Sequence, residues 1–207
     1  MKVTLVNGSP NAEGCTFTAL SEVASALNKE GLETEIFQLG KKPIADCIAC
    51  GQCQKLGRCA IKDKVNDFQE IAKASDGFIF GSPVYYASAS GSLTSFLDRL
   101  FFSSAREVFY LKPAAAIVSA RRAGTTAAFD QLNKYFTISQ MPVISSTYWN
   151  MVHGFTPADV RQDLEGLQIM RNLGRNMAWF LRCKEAGLKA GVPFPEKEEP
   201  IMTNFIK

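Results

Sequence analysis

The sequence predicts a doubly wound α/β fold, in which a five-stranded parallel sheet of order 2-1-3-4-5 carries helices on both faces. Two observations predict it. Short apolar runs alternate with longer segments whose apolar residues recur every three or four positions, which is typical of strands followed by crossover helices. In addition, the chain has 207 residues, 46% of them hydrophobic, which suits one domain with a complete core.

The predicted strands cover residues 2–6, 34–39, 77–81, 114–119 and 142–146. The first predicted helix places Phe17, Leu20 and Val23 on one face and ends at Gly31. Further helices are predicted to begin at Asp63, to surround residues 93–101, and to cover residues 127–136. A long amphipathic helix is predicted over residues 157–183. We expect residues 1–190 to form one domain with a cysteine-rich loop at 47–59, and residues 191–207 to form an extended tail.

Charge and hydropathy argue against several classes of protein. The formal net charge is +3, and the basic residues are scattered, whereas a nucleic-acid partner usually requires a concentrated basic patch. No segment approaches the roughly 20 apolar residues of a membrane span. The N-terminal residues also lack the apolar stretch of a secretory signal. We therefore expect a cytoplasmic protein that binds neither nucleic acid nor membrane.

A candidate anion-binding loop follows the first predicted strand. It runs from Gly8 to Thr16 and leads directly into a helix, so main-chain N–H groups meet the positive end of the helix dipole. Ser9 and Thr16 add hydroxyl donors. The loop matches neither the dinucleotide fingerprint nor the P-loop pattern, so a plain helix cap remains an alternative to phosphate binding.

A second candidate loop follows the third predicted strand, at the edge where the switch point of this fold opens. Its residues 81–87 read GSPVYYA. An isoalloxazine ring needs an aromatic or apolar wall and main-chain groups facing its pyrimidine edge, and this loop can supply both. The alternative is that Tyr85 and Tyr86 only cover the end of the sheet.

Together these two loops resemble the flavodoxin-like NAD(P)H-dependent FMN reductase family, over residues 1 to about 99. The resemblance implies FMN as cofactor and a flavodoxin-like fold. It implies that the FMN phosphate is held by Ser9, Asn11, Cys15 and Thr16. It also implies that the ring is flanked by Pro83, Val84, Tyr85 and Tyr86, and that its pyrimidine side is closed by Ser119, Ala120, Arg121 and Gly124. Many relatives have Asn or Ser at the position of Cys15, and a thiol is a weaker donor.

Four of the six cysteines are crowded into thirteen positions, as Cys47, Cys50, Cys53 and Cys59. Repeated x2 spacings are typical of ferredoxin-like [4Fe–4S] ligation, whereas structural zinc more often uses two separated knuckles. A zinc site and ordinary reduced thiols both remain open. The spacing resembles that of the iron–sulfur flavoproteins, a branch of the FMN reductases, and this resemblance implies a [4Fe–4S] cluster that passes electrons to FMN. Cys183 is expected to be a buried hydrophobe.

Two further groups lie near the predicted flavin. His153, the only histidine, follows the last predicted strand, and a structural role is the preferred interpretation. Arg121 and Arg122 follow the fourth predicted strand. They could stabilise charge on reduced flavin, bind a nicotinamide 2′-phosphate, or form a solvated surface pair.

The sequence therefore leaves two main functions open. One is electron transfer, in which a ferredoxin-like donor feeds the cluster and the cluster feeds FMN. The other is a reductase without a cluster, in which NAD(P)H reduces FMN and a small molecule such as a quinone or free flavin accepts the electrons. A zinc-stabilised or thiol redox-sensing module is the alternative from another class. The aromatic segment 148–155 and the apolar tail predict a homodimer or homotetramer.

Overall fold

The structure is a computed structural model that describes residues 1–199 and 201–206, without the side chain of Arg106. Its strands are β1 (Lys2–Asn7), β2 (Glu33–Gln38), β3 (Gly77–Tyr85), β4 (Ser88–Ala89), β5 (Ala114–Ala120) and β6 (Met151–His153). Its α-helices are α1 (Cys15–Lys29), α2 (Cys53–Leu56), α3 (Lys64–Lys73), α4 (Gly91–Ser103), α5 (Thr125–Ile138), α6 (Pro157–Gln162) and α7 (Leu164–Lys189). A 3₁₀ turn spans Arg106–Val108.

Five of the strands form a parallel sheet in the order β2-β1-β3-β5-β6, and β4 pairs antiparallel with the end of β3. When only the parallel strands are counted, this is the predicted order 2-1-3-4-5. The predicted fold class is confirmed. Because the order reverses beside β1, the carboxyl ends of β1 and β3 open a crevice between the loops that follow them.

Side-chain alternation along the strands creates a core on each face of the sheet. Val3 and Leu5 of β1 pack on one side with α1 and α7. Val6 of β1 packs on the other side with α3, α4 and α5, in a core rich in phenylalanine. Phe68 lies at the centre of that second core, with ring centroids 5.1 Å from Phe37 and 5.3 Å from Phe96. The two apolar faces explain why helices cover both sides.

The fifth parallel strand lies later in the chain than predicted. Val143 forms an isolated bridge with Ala114, but the paired segment β6 begins only at Met151. Between them, the buried Asn150 donates its side-chain amide to the Ala116 carbonyl at 3.1 Å, which supplies a hydrogen bond that a regular strand would make through its backbone. The prediction of a strand at 142–146 was therefore wrong, because a side chain replaces part of the ladder.

The long C-terminal helix is broken near its start. Asp163 has non-helical angles (φ −76°, ψ 77°), and its carboxylate accepts from the Gly166 N–H at 2.9 Å and from the His153 N–H at 2.7 Å. Asp163 therefore caps α7 and does not continue α6. The predicted helix 157–183 is thus two helices, and α7 extends further, to Lys189.

The segment after α7 has little regular structure. Residues 191–199 and 201–206 are exposed, and their side chains include Ile201 at 90% and Phe205 at 100% exposure. Two positions of the predicted tail, 200 and 207, lie outside the described residues. Within the described part of the chain, no helix is both long and apolar enough to cross a membrane.

Candidate functional site

The predicted FMN residues lie on three segments at the carboxyl edge of the sheet. We call this region the sheet-edge site and define it by residues 8–16, 81–90 and 119–124. They follow or end β1, β3 and β5, which are neighbours in the sheet. Parallel strands present their carboxyl ends at one edge, so three segments distant in sequence meet there.

The first of these segments leads into an open helix N-terminus. Gly14 precedes α1, and no side chain among the described residues caps this helix. The first N–H groups of a helix have no intrahelical partner, so those of α1 remain available to an anion. The alternative that a Ser or Thr side chain of this loop only caps the helix is therefore wrong.

Two side chains outside the predicted set hold this segment in shape. The buried Asn7 accepts from the Ser9 N–H at 3.1 Å and donates to the Gln38 side chain at 2.5 Å. Gln38 in turn donates to the Ser9 carbonyl at 2.7 Å. The backbone of residues 7–11 is therefore fixed from the end of β2 before any ligand binds.

Close contacts between glycines bring the first two segments together. The Gly8 N–H donates to the Gly81 carbonyl at 2.8 Å, and a Cβ at Gly8 would lie 2.8 Å from that oxygen. A Cβ at Gly81 would lie 2.9 Å from side-chain carbons of Leu20 and Thr16. Ser90, which caps α4, donates its hydroxyl to the Gly8 carbonyl at 2.8 Å. Glycine is required at Gly8 because the two backbones approach too closely for a side chain, and at Gly81 because the side chains of Leu20 and Thr16 fill the space.

The predicted phosphate residues differ in what their side chains contact. The Thr16 hydroxyl shares a 2.8 Å hydrogen bond with the Ser119 hydroxyl, so these two predicted residues from different segments are in contact. The Cys15 thiol donates to the Gly154 carbonyl at 3.7 Å, and burial raises the pKa of this thiol above its ordinary value. The Ser9 hydroxyl accepts from the Asn11 N–H at 3.1 Å. A neutral, internally bonded thiol leaves the main chain of Cys15 as its means of contacting an anion.

The tyrosine segment is a hairpin and not the free loop expected from the sequence. Pro83, Val84 and Tyr85 belong to β3, and Tyr85 pairs with Ser88 across a two-residue turn. Tyr86 (φ 51°) and Ala87 (φ 58°) fill that turn in the left-handed region, which usually selects Asn or Gly. Tyr85 is 49% exposed and Tyr86 fully exposed. A strained turn therefore holds two aromatic rings at the edge of the crevice.

The third segment packs against this hairpin. Gly124 has φ +98°, and a Cβ there would lie 2.8 Å from the Ala87 Cα. Ser119 and Ala120 end β5, whereas Arg121 and Arg122 lie beyond it and are exposed. The structure thus places all twelve predicted FMN residues on neighbouring segments of one edge.

The segment around β6 forms a separate group at the side of this edge. Tyr148 and Trp149 stack edge to face with centroids 4.8 Å apart, and both are about half exposed. The Nδ1 of His153 lies 4.0 Å from the Asp163 carboxylate. The His153 N–H donates to the Asp163 carboxylate that caps α7, and the imidazole is about half exposed.

The four clustered cysteines line one small pocket beside helix α4. We call it the cysteine pocket, and its other walls include Arg99, Phe102 and Ser103. Cys47 and Cys50 are exposed, while Cys53 and Cys59 are partly buried. Among the described residues, no group of three or more His, Cys, Asp or Glu side chains is placed to hold a metal ion.

Cys183 is exposed on α7, so the expectation that it is a buried hydrophobe was wrong.

Arg99 is the main anchor of the cysteine pocket. It is only 1% exposed, and its guanidinium forms a two-pronged pair with Asp63 at 2.7 and 2.9 Å. It also donates to the Cys59 Sγ at 3.3 Å and to the carbonyls of Ala45 (3.2 Å) and Ile61 (3.0 Å). Burial lowers the pKa of Arg99, but the hydrogen bonds to Asp63 and Cys59 outweigh burial and leave this pKa above its ordinary value. A permanently charged group thus touches a cysteine sulfur.

Helix α3 holds the second half of the same loop. Asn66 donates to the Cys59 carbonyl at 3.0 Å, and Gln69 donates to the Gly57 carbonyl at 3.1 Å. Ser103 is one of the residues that line the cysteine pocket, and its hydroxyl is buried and has no hydrogen-bond partner in the described structure. A buried hydroxyl without a partner is unusual in a native protein and calls for an explanation.

Sequence reasoning missed Asn7, Gln38, Arg99, Asp63 and Ser103. One of them carried a usable signal. Arg99 and Asp98 are the two charged residues of α4, whose other residues are apolar or small and polar, and a buried Arg is seldom found without a carboxylate partner. The others are ordinary polar residues whose role depends on contacts between distant segments.

The fold and the open helix N-terminus beside an aromatic hairpin define the class of flavodoxin-like proteins. The model of the NADPH-dependent FMN reductase family matches residues 1–156. An iron–sulfur flavoprotein of Methanocaldococcus jannaschii is 34% identical over 187 residues, which cover 86% of this chain and 96% of the relative. A second one from the same organism is 30% identical, with 83% and 92% covered. A flavodoxin from the domain Archaea has a TM-score of 0.59 at 16% identity, with 88% and 99% covered, and shows the shared fold.

The chain therefore belongs to the NADPH-dependent FMN reductase family, in its iron–sulfur flavoprotein branch. It is an FMN-dependent oxidoreductase. The resemblance inferred from the two loops and the cysteine spacing is confirmed.

Proposed function

We propose that this protein passes electrons between a [4Fe–4S] cluster, bound by Cys47, Cys50, Cys53 and Cys59, and FMN bound at the sheet-edge site. The observation that carries the proposal is that all four cysteines line one pocket. When bound, the cluster supplies one-electron transfer and FMN supplies both hydride and electron chemistry.

The cysteine pocket suits a cluster better than zinc. Structural zinc usually uses two separated C-x2-C knuckles, whereas Cys47, Cys50 and Cys53 follow one another at x2 spacing, as in ferredoxin-like cluster ligation. The unpartnered Ser103 hydroxyl is a group that an anionic occupant can satisfy, and the Arg99 Nε–H already donates to the Cys59 sulfur. These features support the cluster over both zinc and free thiols.

For FMN, we propose that each segment of the sheet-edge site has one task. The phosphate would be held by the open N-terminus of α1 with Ser9, Asn11, Thr16 and the main chain of Cys15. The ring would lie against the hairpin residues Pro83, Val84, Tyr85 and Tyr86. Its pyrimidine side would be bounded by Ser119, Ala120, Arg121 and Gly124. The uncapped helix end and the fixed loop backbone support this assignment, because both exist before a ligand binds.

A second candidate function is reduction of a small acceptor by NAD(P)H without use of a cluster. The name of the matching family suggests NADPH as a donor. Arg121 and Arg122, both exposed on the third segment of the sheet-edge site, could receive its 2′-phosphate. Stopped-flow mixing distinguishes the donors: bleaching of flavin absorbance by NADPH supports this function, and bleaching by a reduced ferredoxin alone supports the first.

The test of the main proposal is composition after anaerobic purification. We expect about four irons and four sulfides per chain, and one flavin that is released by acid as FMN. Stoichiometric zinc without iron, or a metal-free chain with six titratable thiols, would overturn the cluster. Release of FAD, or of no flavin, would contradict the assignment of the sheet-edge site.

We also propose a homodimer or homotetramer. Large apolar side chains are exposed at the tyrosine hairpin, at Phe155 and in the tail at Phe205 and Ile206. Exposed apolar groups of this number usually mark contact surfaces. Light scattering should give at least twice the monomer mass, and deletion of residues 201–207 should lower it. A monomer with a full complement of FMN would contradict this proposal.

A further inference from the structure

Helix α4 presents two polar groups to the cysteine pocket, one helical turn apart. Arg99 and Ser103 are separated by four residues and therefore lie on the same face of the helix. Both are buried, and both line the pocket with the four cysteines. The rest of this buried face is apolar, with Phe96, Leu97 and Leu100 fully buried.

The side chains of Arg99 and Ser103 differ in whether their hydrogen-bonding groups have partners. Each guanidinium nitrogen of Arg99 has a partner, and the Nε is directed to the Cys59 Sγ at 3.3 Å. The Ser103 Oγ has no partner among the described residues. Leaving a buried hydroxyl unpaired costs about 1–3 kcal/mol, so a group that accepts its hydrogen bond is expected in the loaded protein.

We infer that Arg99 and Ser103 are positioning residues that donate hydrogen bonds to sulfur in the cysteine pocket, and that they thereby raise the reduction potential of the cluster. This inference rests on the proposed function. Reduction adds one electron and one negative charge, and donors to the sulfurs stabilise the more negative form. Because Asp63 neutralises the guanidinium, the effect of Arg99 on the sulfur comes from its directed Nε–H hydrogen bond.

The same contacts explain the position of the pair in the fold. Arg99 ties the start and the end of the cysteine loop to one helix, through the carbonyls of Ala45 and Ile61. The N-cap of that helix, Ser90, touches the first segment of the sheet-edge site through the Gly8 carbonyl. Helix α4 therefore connects both sites, and Arg99 lies roughly 12 Å along its axis from Gly91.

Ser103→Ala is the sharper variant, because it removes only an unpartnered hydroxyl and should fold. Its matched control is Ser104→Ala, since the Ser104 hydroxyl is also buried and unpartnered but Ser104 is not among the residues that line the cysteine pocket. The reduction potential of the cluster is measured by an EPR-monitored titration of the anaerobic holoprotein. We expect the reduction potential of Ser103→Ala to be lower than that of the wild type, by an amount that corresponds to about a threefold change in the equilibrium constant for reduction. The potential of Ser104→Ala should equal the wild-type value. Equal potentials in the two variants would overturn the role of Ser103.

Arg99→Lys keeps a positive charge but loses the planar fork. We expect iron to be retained in part and the potential to fall by at least a tenfold change in the equilibrium, about 59 mV for a one-electron couple. Because this variant could fail to fold, the wild-type protein labelled with ¹⁵N-arginine gives an independent measurement. Pulsed EPR of the reduced cluster should detect a weakly coupled ¹⁵N nucleus, and its absence would overturn the role of Arg99.

The outcomes separate this inference from the proposed function. A wild-type chain without iron and sulfide overturns both. This inference alone is overturned if the wild-type protein has a complete cluster without arginine coupling and the Ser103→Ala and Arg99→Lys variants keep the wild-type potential. The FMN content of each variant should remain at the wild-type level, because neither residue belongs to the sheet-edge site.

Discussion

The sheet-edge site and the cysteine pocket are organised in opposite ways. The sheet-edge site is made by the ends of three paired strands, and its backbones are fixed by hydrogen bonds and glycine contacts. The cysteine pocket is made by one connection between β2 and α3 that contains a single helix of four residues, α2. Its shape depends on side chains that reach out from α3 and α4, chiefly Arg99.

From this difference we expect the two sites to respond differently to loss of their ligands. Sheet pairing and core packing stabilise the sheet-edge site without a cofactor, because its segments are held together by hydrogen bonds and glycine contacts within the protein. The first half of the cysteine pocket is exposed, and cluster binding would supply much of its order. Removal of iron should therefore loosen residues 47–56 and leave the sheet edge unchanged.

The largest expected effect is on the cysteine pocket. Cys53→Ala removes one of the four proposed ligands, and we expect iron and sulfide to fall several-fold while FMN stays near one per chain. Cys183→Ala is the matched control, because Cys183 is exposed on α7 and lies outside the pocket. Metal analysis with acid-released flavin measures both. Equal iron in the two variants would show that Cys53 is not a ligand.

A large effect on the sheet-edge site is expected from Gly124→Ala. A Cβ there would lie 2.8 Å from the Ala87 Cα, at a residue with φ +98°. We expect a loss of about 2–4 kcal/mol in unfolding free energy, with weaker FMN binding. Gly31→Ala has φ +78° but meets no atom within 4 Å, so it should lose only about 1 kcal/mol. Urea unfolding of both variants tests the comparison, and equal losses would mean that the contact with the hairpin is unimportant.

A smaller effect is expected from the exposed hairpin. Tyr85→Ala removes a ring that we place against the flavin, where aromatic packing contributes about 0.5–1.5 kcal/mol. FMN should bind about two- to twelvefold more weakly, as followed by quenching of flavin fluorescence. Trp179→Ala, at an exposed position on α7, should leave the affinity unchanged. An unaltered affinity in Tyr85→Ala would place the ring elsewhere.

The smallest effect concerns the pH dependence of the rate at which the Cys15 thiol is alkylated. Burial raises the pKa of this thiol above its ordinary value, so the fold favours its neutral form. Because the thiolate is the reactive species, alkylation by iodoacetamide should be several-fold slower at Cys15 than at the exposed Cys183 near pH 8. The difference should narrow as pH rises above the usual thiol range, where Cys15 also ionises. Peptide mass spectrometry gives both rates, and equal rates near pH 8 would argue against a buried, neutral thiol.

Much of the fold followed from the sequence, because it depends on patterns that are local. Apolar periodicity located the first four parallel strands and the helices between them, and their alternation implied the sheet order. Gly8 and the tyrosine segment pointed to the switch point since both follow strands. The spacing of Cys47, Cys50, Cys53 and Cys59 indicated a shared site, and all four line one pocket.

Only the tertiary structure decided the features that depend on distant partners. Asn150 interrupts the edge strand because its amide meets the Ala116 carbonyl, and Asp163 breaks the last helix because it also accepts from His153. Neither contact leaves a trace in local periodicity. The same holds for Arg99, because its partners are separated from it by between 36 and 54 positions in the sequence. A local pattern can say that a residue is buried, but the groups that satisfy its charge are chosen by the packing of the whole chain.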